Sequence, residues 1–255
     1  MMVRDPDKET IAGLAKGLRV IEAFDAGRPR LSITEVASRT GLERATARRC
    51  LLTLVRDGYA NFDGKFYWLT PKVLRLGFAY LSSTPLPRLV QPYLEQLAQE
   101  TDESCSASTL DGPEIVYIAR ASQRRVMSIG LSVGSRLPAY CASMGRVLLA
   151  ARPDKERAAL LAALPRKAFT PRTLTGTAEL LAEIEKVRKQ GFATIDQELE
   201  IGLRSIAVPL ADAAGKVVAA INVGAQAERV SLERMREDFL PRMRRVQGEL
   251  QRLLV

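Results

Sequence analysis

The chain has 255 residues, 47% of them hydrophobic and 26% charged, a globular balance that excludes disorder and leaves room for two cores. Histidine is absent, which excludes Ser-His-Asp and Cys-His catalysis, HExxH zinc sites and histidine acid/base chemistry. Three widely spaced cysteines, Cys50, Cys105 and Cys141, exclude a disulfide framework and a CxxC metal pair, while a net charge of +9 favours a polyanionic partner.

In chain order, Ile11, Leu14, Leu18 and Ile21 recur at helical spacing, with Val20 and Phe24 widening the stripe; Gly27-Arg28-Pro29 stops this helix. Ser32-Ile33-Thr34-Glu35 is a capping-box signature that opens a second helix, and Gly41 permits a sharp turn into a third, Glu43 to Asp57. The third helix buries Ala47, Leu51 and Leu54. Its opposite face presents Ala45, Thr46 and Arg49, flanked by Arg44 and Arg48, the residue types that bond base edges and phosphates. A solvated basic face is the plainer alternative for that helix alone. Beyond Gly58 the period becomes two. Tyr59–Phe62 and Lys65–Leu69 flank Asp63-Gly64, which predicts a hairpin with a type I′ turn, Lys65 at its tip and Trp68 in the core. Helix, glycine turn, basic helix and hairpin make a winged helix-turn-helix, the scaffold that places one helix in the DNA major groove. Charge concentrates here. Between Arg28 and Arg75 stand ten basic residues against four acids.

From Lys72 a short helix is apolar nearly all round (Val73, Leu74, Leu76, Phe78, Tyr80, Leu81). Such a helix needs partners on every side, and the natural one is its copy in a second subunit; packing within its own chain is the alternative. Ser82–Pro87 reads as a linker. The rest alternates between helices (89–101, 142–151, 154–163, 177–190 and one opened by Ser231) and strands (104–110, 114–121, 126–131, 192–196, 204–211, 217–224). That is an α+β domain without GxGxxG, a P-loop or metal spacing. The predicted organisation is residues 1–71 DNA-binding, 72–85 dimerisation helix and linker, and 86–255 sensor. No apolar run approaches the roughly 18 residues of a membrane span, and the charged start lacks a signal peptide's apolar core. A cytoplasmic protein without a membrane partner is expected. In the sensor domain, Arg136 to Arg146 leads through proline and small residues into a helix whose first amides are free, an anion-binding arrangement to which Arg136 and Tyr140 add a cation and a polar aromatic edge. An ordinary loop and helix start is the alternative.

Five stretches, GLAKGLRVIEAF (13–24), LSITEVASRTGLERATARRCLLTLVRDGY (31–59), LPAYCASMGRVLLA (137–150), DQELEIGLRSIAVPL (196–210) and AAINVGA (219–225), resemble the IclR-type transcriptional regulators over almost the full length. The wording is most similar to the Pca and Pob branch, which regulates protocatechuate, 4-hydroxybenzoate and β-ketoadipate breakdown. The resemblance implies a winged helix-turn-helix, a connecting dimer helix and a GAF-like effector domain, assembled as a homodimer or dimer of dimers. It implies a small organic-acid effector, no cofactor or metal, and RNA polymerase as a partner if the protein is an activator. Carried onto this sequence, it gives Cys141, Ser143, Met144, Gly145, Asp196, Leu203, Ser205 and Asn222 as effector contacts. Ser205 stands where many relatives have cysteine.

Two rivals remain at this stage. One is an enzymatic or merely small-molecule-binding GAF-like domain acting on an organic acid, with Cys141 or Ser143 as nucleophile. The other is a ligand sensor without specific DNA readout.

Overall fold

The computed structural model describes residues 10–122, 130–163 and 166–254. The chain divides into two compact units, Met1–Tyr80 and Leu81–Val255. Among the described residues no helix is long and apolar enough to cross a membrane.

The first unit holds helices α1 (Ala12–Glu22), α2 (Ile33–Thr40) and α3 (Arg44–Arg56), then a hairpin of β1 (Ala60–Phe62) and β2 (Tyr67–Leu69). Val20, Leu31, Val36, Ala47, Leu51, Leu54 and Tyr67 form its core. The capping box at α2 is complete: the Glu35 carboxylate accepts from the Ser32 amide at 2.8 Å and from its hydroxyl at 2.7 Å, while the Glu35 amide donates to the Ser32 Oγ at 3.4 Å. Ser32→Ala or Glu35→Ala is expected to cost about 1 kcal/mol, measured as a lower denaturation midpoint of the full chain. At Gly41, φ is +66°, so the turn uses the left-handed region that glycine enters freely.

Three sequence readings change here. The stripe on the first helix is a genuine helical stripe, but Val20 is its buried member; Ile11 and Leu14 are 75% and 63% exposed, and Leu18 is exposed too. The hairpin turn is centred on Gly64-Lys65, because Asp63 bonds across to Phe66 and only Gly64, at φ +100°, has a positive φ. That pattern suits type II′, with glycine first, rather than I′. Tyr67 is the core aromatic, whereas Trp68 is half-buried, with the Arg30 guanidinium 4.5 Å from its ring centroid.

A 3-10 turn (Pro71–Val73) leads into α4 (Leu74–Ser83), which buries none of its residues. The predicted linker is almost entirely helical. Only Thr84 separates α4 from α5 (Pro85–Thr101), because Pro85 and Pro87 fall in the first turn, where a missing N–H leaves no bond unmade.

The second unit is built on a six-stranded antiparallel sheet, order β5-β4-β3-β8-β7-β6. Its strands are β3 (Ser104–Asp111), β4 (Glu114–Ala121), β5 (Arg136–Pro138), β6 (Ala193–Asp196), β7 (Leu203–Ala211) and β8 (Val217–Gln226). The predicted strand at 126–131 lies largely outside the described residues. Alternation along the strands separates two faces. Cys105, Ala107, Ile206, Val208, Ile221 and Val223 pack with Val90, Leu94 and Leu97 of α5 and with Met243 and Val246 of the last helix. That helix runs as α9 (Leu232–Arg234), a π turn (Met235–Phe239) and α10 (Leu240–Gln251). Ser231 caps its start, and Pro241, which has no N–H to give, follows the π turn. The other face lies under α6 (Ser143–Ala150) and α8 (Thr177–Gln190), with α7 (Asp154–Ala163) between them in sequence. Val147, Leu149, Leu180, Ile184 and Val187 meet Ala207 and Ala220 there. Small residues on this face leave a hollow at one end.

Candidate functional site

On α3 the side chains of Arg44, Ala45, Arg48 and Arg49 are exposed and Thr46 is half-buried. Three other arginines of the unit are engaged: Arg30 with Asp63, Arg39 with Asp25 and Arg56 with Asp57. Arg44, Arg48 and Arg49 have no such partner among the described residues, so α3 presents three uncompensated guanidinium groups on one outward surface. Lys65 stands at the hairpin tip, its ammonium 5.1 Å from the Phe66 ring centroid.

In the second unit a narrow cavity of about 40 Å³, room for a few waters, opens between the sheet and the start of α6. The pairing register builds its floor. Ser106 pairs with Arg120 on one side and Asn222 on the other, and Ser104 pairs with Gly224, which pairs with Ser205. The roof is Cys141, Ala142, Ser143 and Met144, and Leu199 and Leu203 close a side. The Ser205 hydroxyl donates to the Ser143 Oγ at 2.9 Å, tying floor to roof. Arg120, the one basic side chain among the described lining residues, donates to the Ser106 and Ser122 hydroxyls, each at 2.9 Å. It meets no acidic side chain there. Asn222 is 9% exposed, and its Oδ1 is buried without a hydrogen-bond partner among the described residues.

Of the residues singled out in the sequence, Cys141, Ser143, Met144, Leu203, Ser205 and Asn222 line this cavity. Four others do not. Arg136 is a surface residue held by Glu114 and Asp111, each at 2.8 Å, so its charge is already compensated. Tyr140 is fully buried and donates its hydroxyl to the Lys167 carbonyl at 2.6 Å. Gly145 packs against the backbone of Ala139. Asp196 is paired with Arg172 at 2.5 Å and Arg204 at 2.6 Å. Arg120, Ser104 and Leu199 are among the lining residues that sequence reasoning missed, together with apolar ones such as Ile115, Tyr117, Leu137 and Ile195. Of the alternating serines Ser104, Ser106 and Ser108 on one strand face, Ser104 lines the cavity itself, while Ser106 accepts from Arg120 and Ser108 donates to the Met144 sulfur.

The cavity is poorly equipped for nucleophilic chemistry. Burial pushes the Cys141 thiol up to about 12, so it is protonated at neutral pH and is no nucleophile. Ser143 has another serine as its hydrogen-bond partner, and among the described residues no base is bonded to it to take its proton. Among the described residues no cluster of three or more metal-ligating side chains occurs.

Comparison with known proteins gives the family. Residues 13–64 match the IclR helix-turn-helix domain and residues 78–251 match the bacterial transcriptional regulator IclR C-terminal domain. The chain belongs to the IclR family. It is 50% identical over 238 residues to the Pca regulon regulatory protein of Pseudomonas putida, covering 93% of this chain and 81% of that one. A solved transcriptional regulator of Rhodococcus sp. RHA1 superimposes with a TM-score of 0.81 at 48% identity, covering 96% of this chain and 98% of that chain. The inducer-binding domain of the PobR transcription factor of Acinetobacter, solved as a double mutant with 3-hydroxybenzoic acid, matches 66% of this chain and 98% of its own length, with a TM-score of 0.63 and 32% identity. The protein is thus a DNA-binding transcriptional regulator with an effector-binding domain, related to the Pca and Pob regulators, and its relatives are regulators rather than enzymes.

Proposed function

We propose that this IclR-family protein controls an aromatic-acid catabolic operon of the β-ketoadipate type, responding to a small carboxylate held in the cavity under α6. The observation that carries this reading is Arg120, a half-buried guanidinium on the cavity floor with no acidic partner among the described residues. A carboxylate completes it with two parallel, charge-assisted hydrogen bonds. Cys141, Met144 and Leu203 give apolar contact, and Ser143 and Ser205 give hydroxyls. The unpartnered Asn222 Oδ1 calls for a donor, which a hydroxylated acid supplies. The names of the Pseudomonas relative and of the Acinetobacter inducer complex support the same class of effector.

On the DNA side, Arg44, Ala45, Thr46, Arg48 and Arg49 of α3 read the operator, and Lys65 contacts a phosphate. The acting species is a homodimer or a dimer of dimers. Leu74 and Phe78 of α4 are 74% and 66% exposed, and the uncovered Ile11, Leu14 and Leu18 of α1 add a second apolar face, more than a monomer leaves to water. Two copies set two recognition helices on two half-sites. As an activator the protein also contacts RNA polymerase.

Titration calorimetry with 4-hydroxybenzoate, protocatechuate and β-ketoadipate, followed by operator binding with and without the acid that binds, tests this reading. One acid is expected to bind and to shift operator affinity or transcription, since only differential binding to two states transmits a signal. Binding of none of the three, or binding without either shift, overturns it. Arg49→Ala is expected to weaken operator binding by about 1–3 kcal/mol while leaving random DNA much less affected; equal losses on both point to electrostatic attraction alone.

A further inference from the structure

Behind the cavity wall lies an ion pair that touches none of the lining space. Arg146 of α6 and Glu198, in the loop between β6 and β7, are 2.6 Å apart, with side chains 2% and 9% exposed. Taking two charges out of water is expensive, and an apolar pair of similar size is commonly as stable. What the charged pair adds is direction and distance. The Arg146 Nε donates to the Tyr140 carbonyl at 3.0 Å, its Nη2 donates to the Glu198 Oε2, and the Leu174 amide donates to that same oxygen at 3.2 Å. The Thr173 hydroxyl donates to the Glu198 carbonyl at 2.5 Å.

The two ends of this strut sit next to the two cavity walls. Arg146 follows Ser143 and Met144 on the helix that forms the roof, and Glu198 precedes Leu199 on the side wall. Within the roof, Gly145 lies so close to Ala139 that no side-chain atom fits between them, which joins the start of α6 to the turn before it as one unit. Across the cavity that unit is held to the floor by the Ser205–Ser143 hydrogen bond and to the side wall by the ion pair with Glu198.

We propose that Arg146 and Glu198 are positioning residues that fix the width of the effector cavity and so decide how large an acid it admits. The proposal takes the cavity as the effector site. At about 40 Å³ the cavity admits an organic acid only as its walls part, and the strut limits how far they do.

Two of the chain's own thiols give a test that needs no ligand. Cys141 lines the cavity, whereas Cys105 lies in the core on the opposite face of the sheet. Burial pushes both thiols up to about 12. In full-length Glu198→Ala, and to a lesser degree in Glu198→Gln should the alanine variant fail to fold, the labelling rate of Cys141 by bulky, uncharged 2,2′-dithiodipyridine is expected to rise about tenfold relative to small, uncharged methyl methanethiosulfonate. The ratio of the two reagents cancels any change in the thiolate fraction. Cys105 is expected to keep its wild-type ratio. A parallel rise at both cysteines means general loosening, and an unchanged Cys141 ratio means that the strut does not set the width; either result overturns the proposal.

A second arm compares 4-hydroxybenzoate with 6-hydroxy-2-naphthoate, one ring longer, by calorimetry. Preference for the smaller acid is expected to fall at least tenfold in the variants, and an unchanged preference overturns the proposal. If wild-type protein binds neither of these two acids, the thiol ratios still decide whether the strut sets the width, and the effector reading fails only when protocatechuate and β-ketoadipate also go unbound.

Discussion

Arg120→Met is expected to weaken binding of the effector acid by about 30- to 150-fold, the equivalent of roughly 2–3 kcal/mol for loss of a charge-assisted pair of hydrogen bonds. The methionine fills much of the same volume and stays apolar; of the two hydroxyls that Arg120 now holds, that of exposed Ser122 turns to water, and that of buried Ser106 can rotate its proton toward a neighbouring acceptor. The fold and the effector-free operator affinity are therefore expected to remain as in the wild type. Arg120→Lys is expected to recover only part of the loss, because an ammonium supplies charge without the planar fork. Calorimetry with whichever acid binds the wild-type protein reads all three values. A methionine variant within threefold of wild type removes Arg120 from the carboxylate site and leaves the cavity without its anchor.

That the sequence pointed to Arg136 rather than Arg120 as the cation follows from what sequence carries. Arg136 precedes a conspicuous run of proline and small residues, and its neutralisation by Asp111 and Glu114 depends on cross-strand neighbours more than twenty positions away. Arg120 lies near the end of a strand with nothing unusual beside it. It becomes a site residue only when the register sets it level with Ser106 and Asn222. The same holds for Arg146 and Glu198, which are linked by packing alone. Local signals served well where the physics is local: the Ser32–Glu35 box, the buried Ala47, Leu51 and Leu54, and the start of α8 at Thr177. On α1 the spacing of Ile11, Leu14 and Leu18 reveals a helix but cannot tell whether the apolar stripe meets its own chain. Turn type at the hairpin depended on one residue of register, between Asp63-Gly64 and Gly64-Lys65. The segment Ser82–Pro87 reads as a linker because a proline inside a helix and one in its first turn look alike in sequence.

Gly145→Ala is expected to do the largest structural damage of any single methyl group added to this chain. An ideal Cβ there falls 2.2 Å from the Ala139 oxygen and 2.4 Å from its Cα, contacts that no rotamer change relieves because both partners are backbone. The φ of Gly145 is not positive, so close approach alone requires glycine here. To admit the methyl group, α6 must draw away from the 3-10 turn Ala139–Cys141. That movement carries Ser143, Met144 and Cys141 out of register with the floor and strains the bond from Arg146 to the Tyr140 carbonyl. Overpacking of this kind costs about 3 kcal/mol, so the variant is expected to unfold at clearly lower denaturant and to lose its effector response below that midpoint. Gly248→Ala supplies the contrast. It lies on α10 with nothing within 4 Å of the added Cβ, and replacing an exposed helical glycine with alanine stabilises by roughly 0.5–1 kcal/mol. Denaturant midpoints that move in opposite directions for the two variants establish that steric fit at the α6 junction, and not a general intolerance of alanine for glycine, holds the roof in place. Movement of both in the same direction refutes it.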